Sequence, residues 1–143
     1  MKYFIFCIIA LFLAALAGCS TAQSIDVSKR SRTFDKDFTT VFRAAITYLT
    51  NEGYPIAQTD KDLGILNTDW LENSGFLKAM GSNQRIKLNM VIQPVNQGTT
   101  RIVASMSWQH QPGGNKWTEA MVSEGQAADR YKDIFDGISK LLE

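Results

Sequence analysis

The sequence is poor in the residues that build covalent cross-links and many catalytic centres. It has two cysteines, Cys7 and Cys19, and one histidine, His110. Because both cysteines lie within the first 19 residues, no disulfide is expected in the folded part of the chain, which must rely on packing. A Cys-His pair is excluded, and a Ser-His-Asp triad would depend on His110, near Ser105 and Ser107 but without a carboxylate placed by any motif. We therefore expect a protein that is not an enzyme.

The chain also lacks an excess of charge of either sign. It has 15 Lys and Arg residues against 14 Asp and Glu residues, and Lys2 lies in the apolar leader described below. Binding to nucleic acid needs an excess of basic residues gathered in one patch, so a nucleic-acid partner is not expected. Asp60, Asp62 and Asp69 lack the spacing of a calcium loop, and Gly113-Gly114 lacks the context of a phosphate-binding loop. We expect neither a metal nor a non-covalent cofactor.

Long apolar runs are missing except at the N-terminus, where every residue from Tyr3 to Ala17 is apolar and follows Lys2. A positive start, a short apolar core and small residues at its end are typical of a cleaved export peptide. The motif Leu16-Ala17-Gly18-Cys19 resembles the lipobox of bacterial lipoproteins. In that motif the cysteine is diacylated and becomes the first residue after cleavage.

This resemblance implies a signal peptide at residues 1–18 and a diacylglycerol and an N-acyl chain on Cys19, which together would anchor the protein permanently in a membrane. Ser20, in a position where Asp favours retention, implies an outer-membrane, periplasm-facing location; inner-membrane retention is the alternative. A secretory signal cleaved elsewhere and an uncleaved anchor helix are the alternatives to lipidation.

Residues 19–33 are small, polar and aperiodic, which predicts a flexible tether behind the lipidated cysteine. Lys29, Arg30 and Arg32 in this segment are expected either to be solvated or to lie against anionic headgroups. The remainder, residues 34–143, has the size of one domain with one modest core.

Apolar residues recur at spacings of three and four in two segments of this domain, which predicts amphipathic helices over Asp35 to Glu52 and about Ser123 to Leu142. Between them, extended runs bounded by turn residues predict four strands in two hairpins. In the second strand, Leu66, Thr68 and Trp70 are predicted to share one face. The predicted strands are Tyr54 to Gln58, Gly64 to Trp70, Gln84 to Val95 and Thr99 to His110.

The two longest strands alternate apolar and polar residues, so one face of the sheet is expected to be buried and the other to be exposed to solvent, which we call the wet face. Each helix has one apolar stripe that must be buried. We therefore predict a two-layer α+β fold, with about four mainly antiparallel strands, in the order α-β-β-β-β-α, and with both helices on one face.

This layout resembles the helix-grip domains of small envelope lipoproteins, of which the BamC-type (NlpB) component of the outer-membrane β-barrel assembly machinery is an example. The resemblance rests on Phe38-x-x-Val41-Phe42-Arg43-Ala44-Ala45, on Leu49 through Gly53-Tyr54, and on Asp60-x-x-x-Gly64-Ile65-Leu66. It implies a scaffold or accessory role in the envelope, including outer-membrane assembly.

Three regions are candidates for contact with an envelope protein: the wet sheet face, an apolar stretch within residues 71–83, and a tryptophan beside the Gly-Gly loop. Each also has a purely structural explanation, as a solvated face, a core-covering turn or a cover for the core edge. A carrier of a small apolar ligand or lipid is an alternative function, and an envelope hydrolase is a weaker one. The candidate binding residues are Phe76, Leu77, Met80, Arg85, Lys87, Arg101 and Trp117.

Overall fold

A computed structural model describes residues 25–72, 83–111 and 116–143 of the chain. The predicted signal peptide, the lipidation site Cys19 and the candidate residues Phe76, Leu77 and Met80 lie outside the described residues. The Gly-Gly loop at 112–115 lies outside them as well.

The described residues form two helices and a seven-stranded sheet, so the predicted α+β class is confirmed. The helices are α1 (Phe38–Asn51) and α2 (Glu124–Lys140). The strands are β1 (Ser31–Phe34), β2 (Ile56–Asp60), β3 (Ile65–Thr68), β4 (Leu71–Glu72), β5 (Gln84–Asn96), β6 (Thr99–His110) and β7 (Thr118–Glu119).

All the strand pairs are antiparallel, and the main strand order is β1-β6-β5-β3-β2. The short strands β4 and β7 lie off this path and pair with β5 and β6, respectively. The sheet of the described residues therefore has three strands more than the predicted four. Of the added strands, β4 and β7 have two residues each, too few to show an alternating pattern, and β1 lies in a polar segment with one buried residue, Phe34.

The segment predicted to be a flexible tether is part of the domain from residue 25 onward. Its strand β1 pairs with β6, and the first element of the described residues is a strand instead of a helix. Lys29 donates a 2.6 Å hydrogen bond to Glu124, Arg32 donates one of 2.6 Å to Asp136, and Arg30 contacts the carbonyl of Ala104 at 3.3 Å. Arg30 and Arg32 are thus partly buried against the domain, while Lys29 stays 47% exposed in its ion pair. The strand pairing and these contacts correct the predicted flexible tether from residue 25 onward.

Both helices begin at side-chain caps that the sequence provides. Asp37 accepts a hydrogen bond from the Thr40 N–H at 3.0 Å, and Ser123 forms a capping box with Gln126. Helix α1 is followed by Gly53 at a φ of +81°, a conformation that favours glycine after a helix end. The predicted helices are confirmed, with slightly narrower bounds.

One hydrophobic core lies between the helices and one face of the sheet, which we call the inner face. The inward side chains of β5 and β6 alternate as the pattern predicts, and Leu88 and Ile102 are completely buried. Val41, Leu49, Ile134 and Phe135 of the helices close the core. The other face of the sheet, the outer face, carries no helix of the described part of the chain and points away from this core.

Across the ranges described, no helix combines the length and the apolar character that crossing a membrane requires.

Candidate functional site

The outer face of the sheet is a set of rows that run across neighbouring strands, fixed by the strand register. One row is apolar, with Val91 paired to Ile65 on one side and to Val103 on the other. The next row is polar, with Asn89 between Asn67 and Ser105. Val91 is 41% exposed and Ser105 is also exposed, so these rows are open to solvent.

A bulge between β3 and β4, which both pair with β5, decides which side chains reach one end of this face. Asn67 pairs with Asn89 and Leu71 pairs with Ile86, so four steps along β3 and β4 match three steps along β5. The extra residue reverses the alternation of side chains. Leu71 packs against the core, whereas Trp70 contacts Arg85 on the outer face. The prediction that Trp70 shares a face with Leu66 and Thr68 was therefore wrong.

The outward side chain of Arg85 contacts two tryptophans at this end. Its guanidinium carbon lies 4.5 Å from the ring centre of Trp70 and 4.4 Å from that of Trp117. We call these three residues the Trp-Arg-Trp cluster. A cation this close to the faces of two indole rings is attracted to both, and the attraction grows as water is excluded; the Arg85 side chain is only 20% exposed.

Polar neighbours fix the position of the Arg85 guanidinium. Its Nε and Nη2 atoms donate hydrogen bonds of 2.8 and 2.6 Å to Oε1 of Gln109, which faces it on β6. Its Nη1 lies 3.9 Å from a carboxylate oxygen of Glu72, a more solvent-exposed partner. The planar guanidinium is thus preorganised by one hydrogen-bond acceptor and two aromatic rings. The ammonium group of a lysine could not make the same set of contacts.

The four predicted binding residues within the described ranges all map to the outer face or its end. The structure brings Arg85 and Trp117 together, and Lys87 lies two residues along β5 from Arg85. Arg101 pairs in register with Gln93, eight residues from Arg85, which is about 26 Å along a strand. Arg101 donates instead to the Ser31 hydroxyl at 3.1 Å. The predicted residues therefore belong to the two ends of one face.

Sequence reasoning missed Trp70, Gln109 and Glu72 at this site. Gln109 follows from the hairpin register once the turn is fixed, because it stands directly opposite Arg85. Trp70 could not be found from alternation, since the bulge that turns it outward leaves no sequence pattern.

The single histidine does not join the serines near it. Ser105 and Ser107 are exposed residues of the outer face, whereas His110 belongs to the opposite alternation and its Nε2 lies 3.5 Å from the Thr118 hydroxyl. Within the ranges that the structure describes, no group of three or more His, Cys, Asp or Glu side chains is placed to hold a metal ion.

A second polar cluster lies under the helices. The Arg130 guanidinium donates a 2.8 Å hydrogen bond to the Tyr54 hydroxyl, which joins α2 to the segment that follows α1. Burial raises the pKa of Tyr54, and burial together with the charge of Glu52 raises the pKa of Tyr48 to about 12. Both phenols are thus neutral at physiological pH, and the Tyr54 hydroxyl accepts the Arg130 hydrogen bond.

No protein-family model matches the chain, and no curated protein is significantly similar to it. Among solved structures, it is similar to the adenylate sensor from AMP-activated protein kinase in complex with 5-aminoimidazole-4-carboxamide 1-beta-D-ribofuranotide (ZMP), with a TM-score of 0.53 and 12% identity over 76% of this chain and 94% of that chain. A DUF4468 family protein from Bacteroides ovatus gives a TM-score of 0.47 and 11% identity over 85% and 91% of the two chains. At 12% identity, the first likeness shows a shared fold alone.

Proposed function

We propose that this protein is a lipid-anchored bacterial envelope protein whose domain is a non-catalytic binding module with a helix-grip-like architecture. The anchor is the acylated Cys19 in the outer membrane, and the partner is an envelope protein that contacts the outer face of the sheet. An accessory role in outer-membrane assembly is consistent with both parts of the proposal.

The charge pattern of the outer face is the observation that carries the proposal. The outward residues of the two long strands include three cations, Arg85, Lys87 and Arg101, and no acid. The acids of this face lie on the neighbouring short strands, where Glu72 pairs in register with Arg85 and Glu119 with Gln109. An exposed apolar row with Val91 lies between Lys87 and Arg101. Two cations on either side of an apolar row are complementary to an acidic protein surface that carries an apolar patch.

The packing of the inner face favours a binding module over a carrier. A carried apolar molecule would have to lie between the helices and the sheet. Large side chains fill that layer, and Leu49, Met90, Ile102, Phe135 and Ile138 are each at most 2% exposed. Native mass spectrometry that finds a retained lipid in the domain would reverse this preference.

Charge reversal on the outer face tests the proposal directly. A photocrosslinker at Val91 in the full-length protein is expected to capture an envelope protein in living cells. The double variant Lys87→Glu and Arg101→Glu is expected to reduce that crosslink about tenfold or more, because both attractions become repulsions. Arg43, exposed on α1 in the other layer, provides the control: Arg43→Glu should leave the crosslink unchanged.

Two results would refute the outer-face assignment: a crosslink that the double variant does not weaken, or one that Arg43→Glu weakens equally.

The anchor is tested separately. The mass of the N-terminal peptide should show acyl chains on Cys19, and Cys19→Ser should release the protein from the membrane.

A further inference from the structure

The described part of the chain begins very close in sequence to the proposed anchor. Ile25 already packs against the hydrophobic core, and only the five residues from Ser20 to Ser24 separate it from Cys19. A chain spans at most about 3.3–3.6 Å per residue, so six steps reach no more than about 22 Å. If Cys19 is in the bilayer, the edge of the domain that carries Ile25 must stay near the headgroups.

Two segments converge at that edge of β6. The first segment follows Ile25, and the carbonyl of its Arg30 accepts a 2.8 Å hydrogen bond from the Ala104 N–H. The second segment follows β7, and the N–H of its Ala120 donates a 3.0 Å hydrogen bond to the Trp108 carbonyl. Ala104 and Trp108 are about 13 Å apart along β6. The Lys29–Glu124 ion pair joins the two segments across this interval.

Each of these segments exposes an apolar side chain beside the tether. Val27 is 43% exposed, and Met121 is fully exposed, at 104%. Of the charged groups around them, Lys29 forms an ion pair with Glu124, whereas the exposed Asp26 accepts a 2.7 Å hydrogen bond from the Ser28 backbone N–H. The surface beside the tether therefore combines exposed apolar side chains with one ion pair and one carboxylate.

We infer that Val27 and Met121 form a docking edge that inserts into the interface of the bilayer to which Cys19 is attached. The inference rests on the proposed lipid anchor. The tether holds this edge within about 22 Å of the headgroups, so a weak apolar contact becomes effectively intramolecular and can form at an affinity too low to hold an untethered domain. Methionine suits such a contact, because its unbranched side chain adapts to an irregular apolar surface.

Docking would also orient the domain. The sheet is five strands wide along its main path, and its strands are about 4.8 Å apart, so the β2 edge lies nearly 20 Å farther along the sheet than β1. The outer face would then stand beside the membrane instead of being pressed against it. It would remain open to a partner in the periplasm.

Methionine oxidation provides the test, since the rate at which peroxide oxidises a methionine follows its exposure. The lipidated full-length protein is reconstituted in phosphatidylethanolamine and phosphatidylglycerol vesicles. The variant Leu63→Met adds a reference methionine at a position that is 66% exposed, in the turn between β2 and β3 at the opposite edge. Rates are normalised to those of the same protein unfolded in guanidinium.

We expect Met121 to be oxidised about fivefold or more slowly than the reference methionine in vesicles, and Val27→Asp to abolish most of that protection. Equal rates at the two positions, or protection that survives Val27→Asp, would overturn the docking edge. The mass of Cys19 is read from the same samples. An unacylated Cys19 would contradict the proposed anchor, whereas an acylated protein with unprotected Met121 would contradict the docking alone.

Discussion

The hydroxyl of Thr68 accepts a 2.9 Å hydrogen bond from the backbone N–H of Leu88 in the buried interior of the sheet. The bond lies at the bulge, where β3 has stopped pairing with β5 and β4 has not yet begun. A side-chain oxygen thus takes the place of a ladder carbonyl. Without it, the bulge that turns Trp70 to the outer face would leave a buried donor unpaired.

Thr68→Val is therefore expected to destabilise the domain by about 1–3 kcal/mol, although the two side chains have the same shape, because the Leu88 N–H loses its acceptor. Thr68→Ser keeps the hydroxyl and should cost about 1 kcal/mol for the lost methyl group. Urea denaturation of the two variants measures the difference. Equal losses would show that the hydroxyl is not needed at the bulge.

The same bulge shows how far the sequence predicts this structure. Periodicity and turn residues located both helices and the strands β2, β3, β5 and β6. The long strands β5 and β6 bury one alternating face, whereas β2 lies two residues beyond its predicted bounds and has no buried residue. Periodicity failed where pairing is irregular or brief: β4 and β7 have two residues each, and β1 lies in a polar segment with Phe34 as its buried residue. The Trp-Arg-Trp cluster depends on two of these short strands, which is why Arg85 and Trp117 were predicted as parts of separate regions and Trp70 was not predicted as a binding residue.

Gly64 is expected to be the least replaceable glycine of the sheet. Its φ is +67°, and a β-carbon there would lie 2.0 Å from the carbonyl oxygen of Ile92. Gly64→Ala should cost about 3 kcal/mol or more, from the left-handed backbone and the collision together. Gly53 has a φ of +81° but open space around it. Gly53→Ala therefore measures only the cost of placing alanine in a left-handed backbone conformation, about 1–2 kcal/mol. Equal losses in urea denaturation would contradict the predicted collision.

The two glycines of α2 should respond to alanine with opposite signs. Alanine favours a helix over glycine by up to about 1 kcal/mol, and a β-carbon on Gly125 would meet nothing within 4 Å, so Gly125→Ala should stabilise the domain. A β-carbon on Gly137 would lie 2.0 Å from the Tyr48 ring. Gly137→Ala should therefore destabilise by about 1–3 kcal/mol as α1 and α2 are forced apart. Thermal unfolding of both variants checks the signs, and a stabilised Gly137→Ala would contradict the close helix contact.

The ion pairs that Asp136 forms with Lys132 and Arg32 predict how the stability of the domain depends on pH in acid. Hydrogen bonds from Lys132 and Arg32 lower the pKa of the Asp136 carboxyl from 3.8 to about 2. A lowered folded-state pKa contributes stability that is fully present above pH 3.8 and is lost as the pH falls toward 2. The difference in unfolding temperature between the wild type and Asp136→Asn should therefore shrink between pH 5 and pH 2.

Asp129, an exposed carboxylate on the same helix, provides the control for this experiment. Asp129→Asn also removes one negative charge but none of the contacts to Lys132 and Arg32. If both variants show the same pH dependence, the effect comes from net charge and the assignment to the Asp136 ion pairs is wrong.

The Trp-Arg-Trp cluster should stabilise β7 as well as the outer face. Arg85→Lys keeps the charge but loses the planar contact with both rings and the paired hydrogen bonds to Gln109, so we expect a loss of about 1 kcal/mol. Because Trp117 directly precedes β7, its release should also speed hydrogen exchange at the Ala120 N–H, which is bonded to the Trp108 carbonyl. Arg43→Lys on the exposed side of α1 should change stability by less than about 0.5 kcal/mol. Unchanged exchange at Ala120 in Arg85→Lys would mean that β7 is held by its own ladder bonds, and that the cluster serves the exposed face alone.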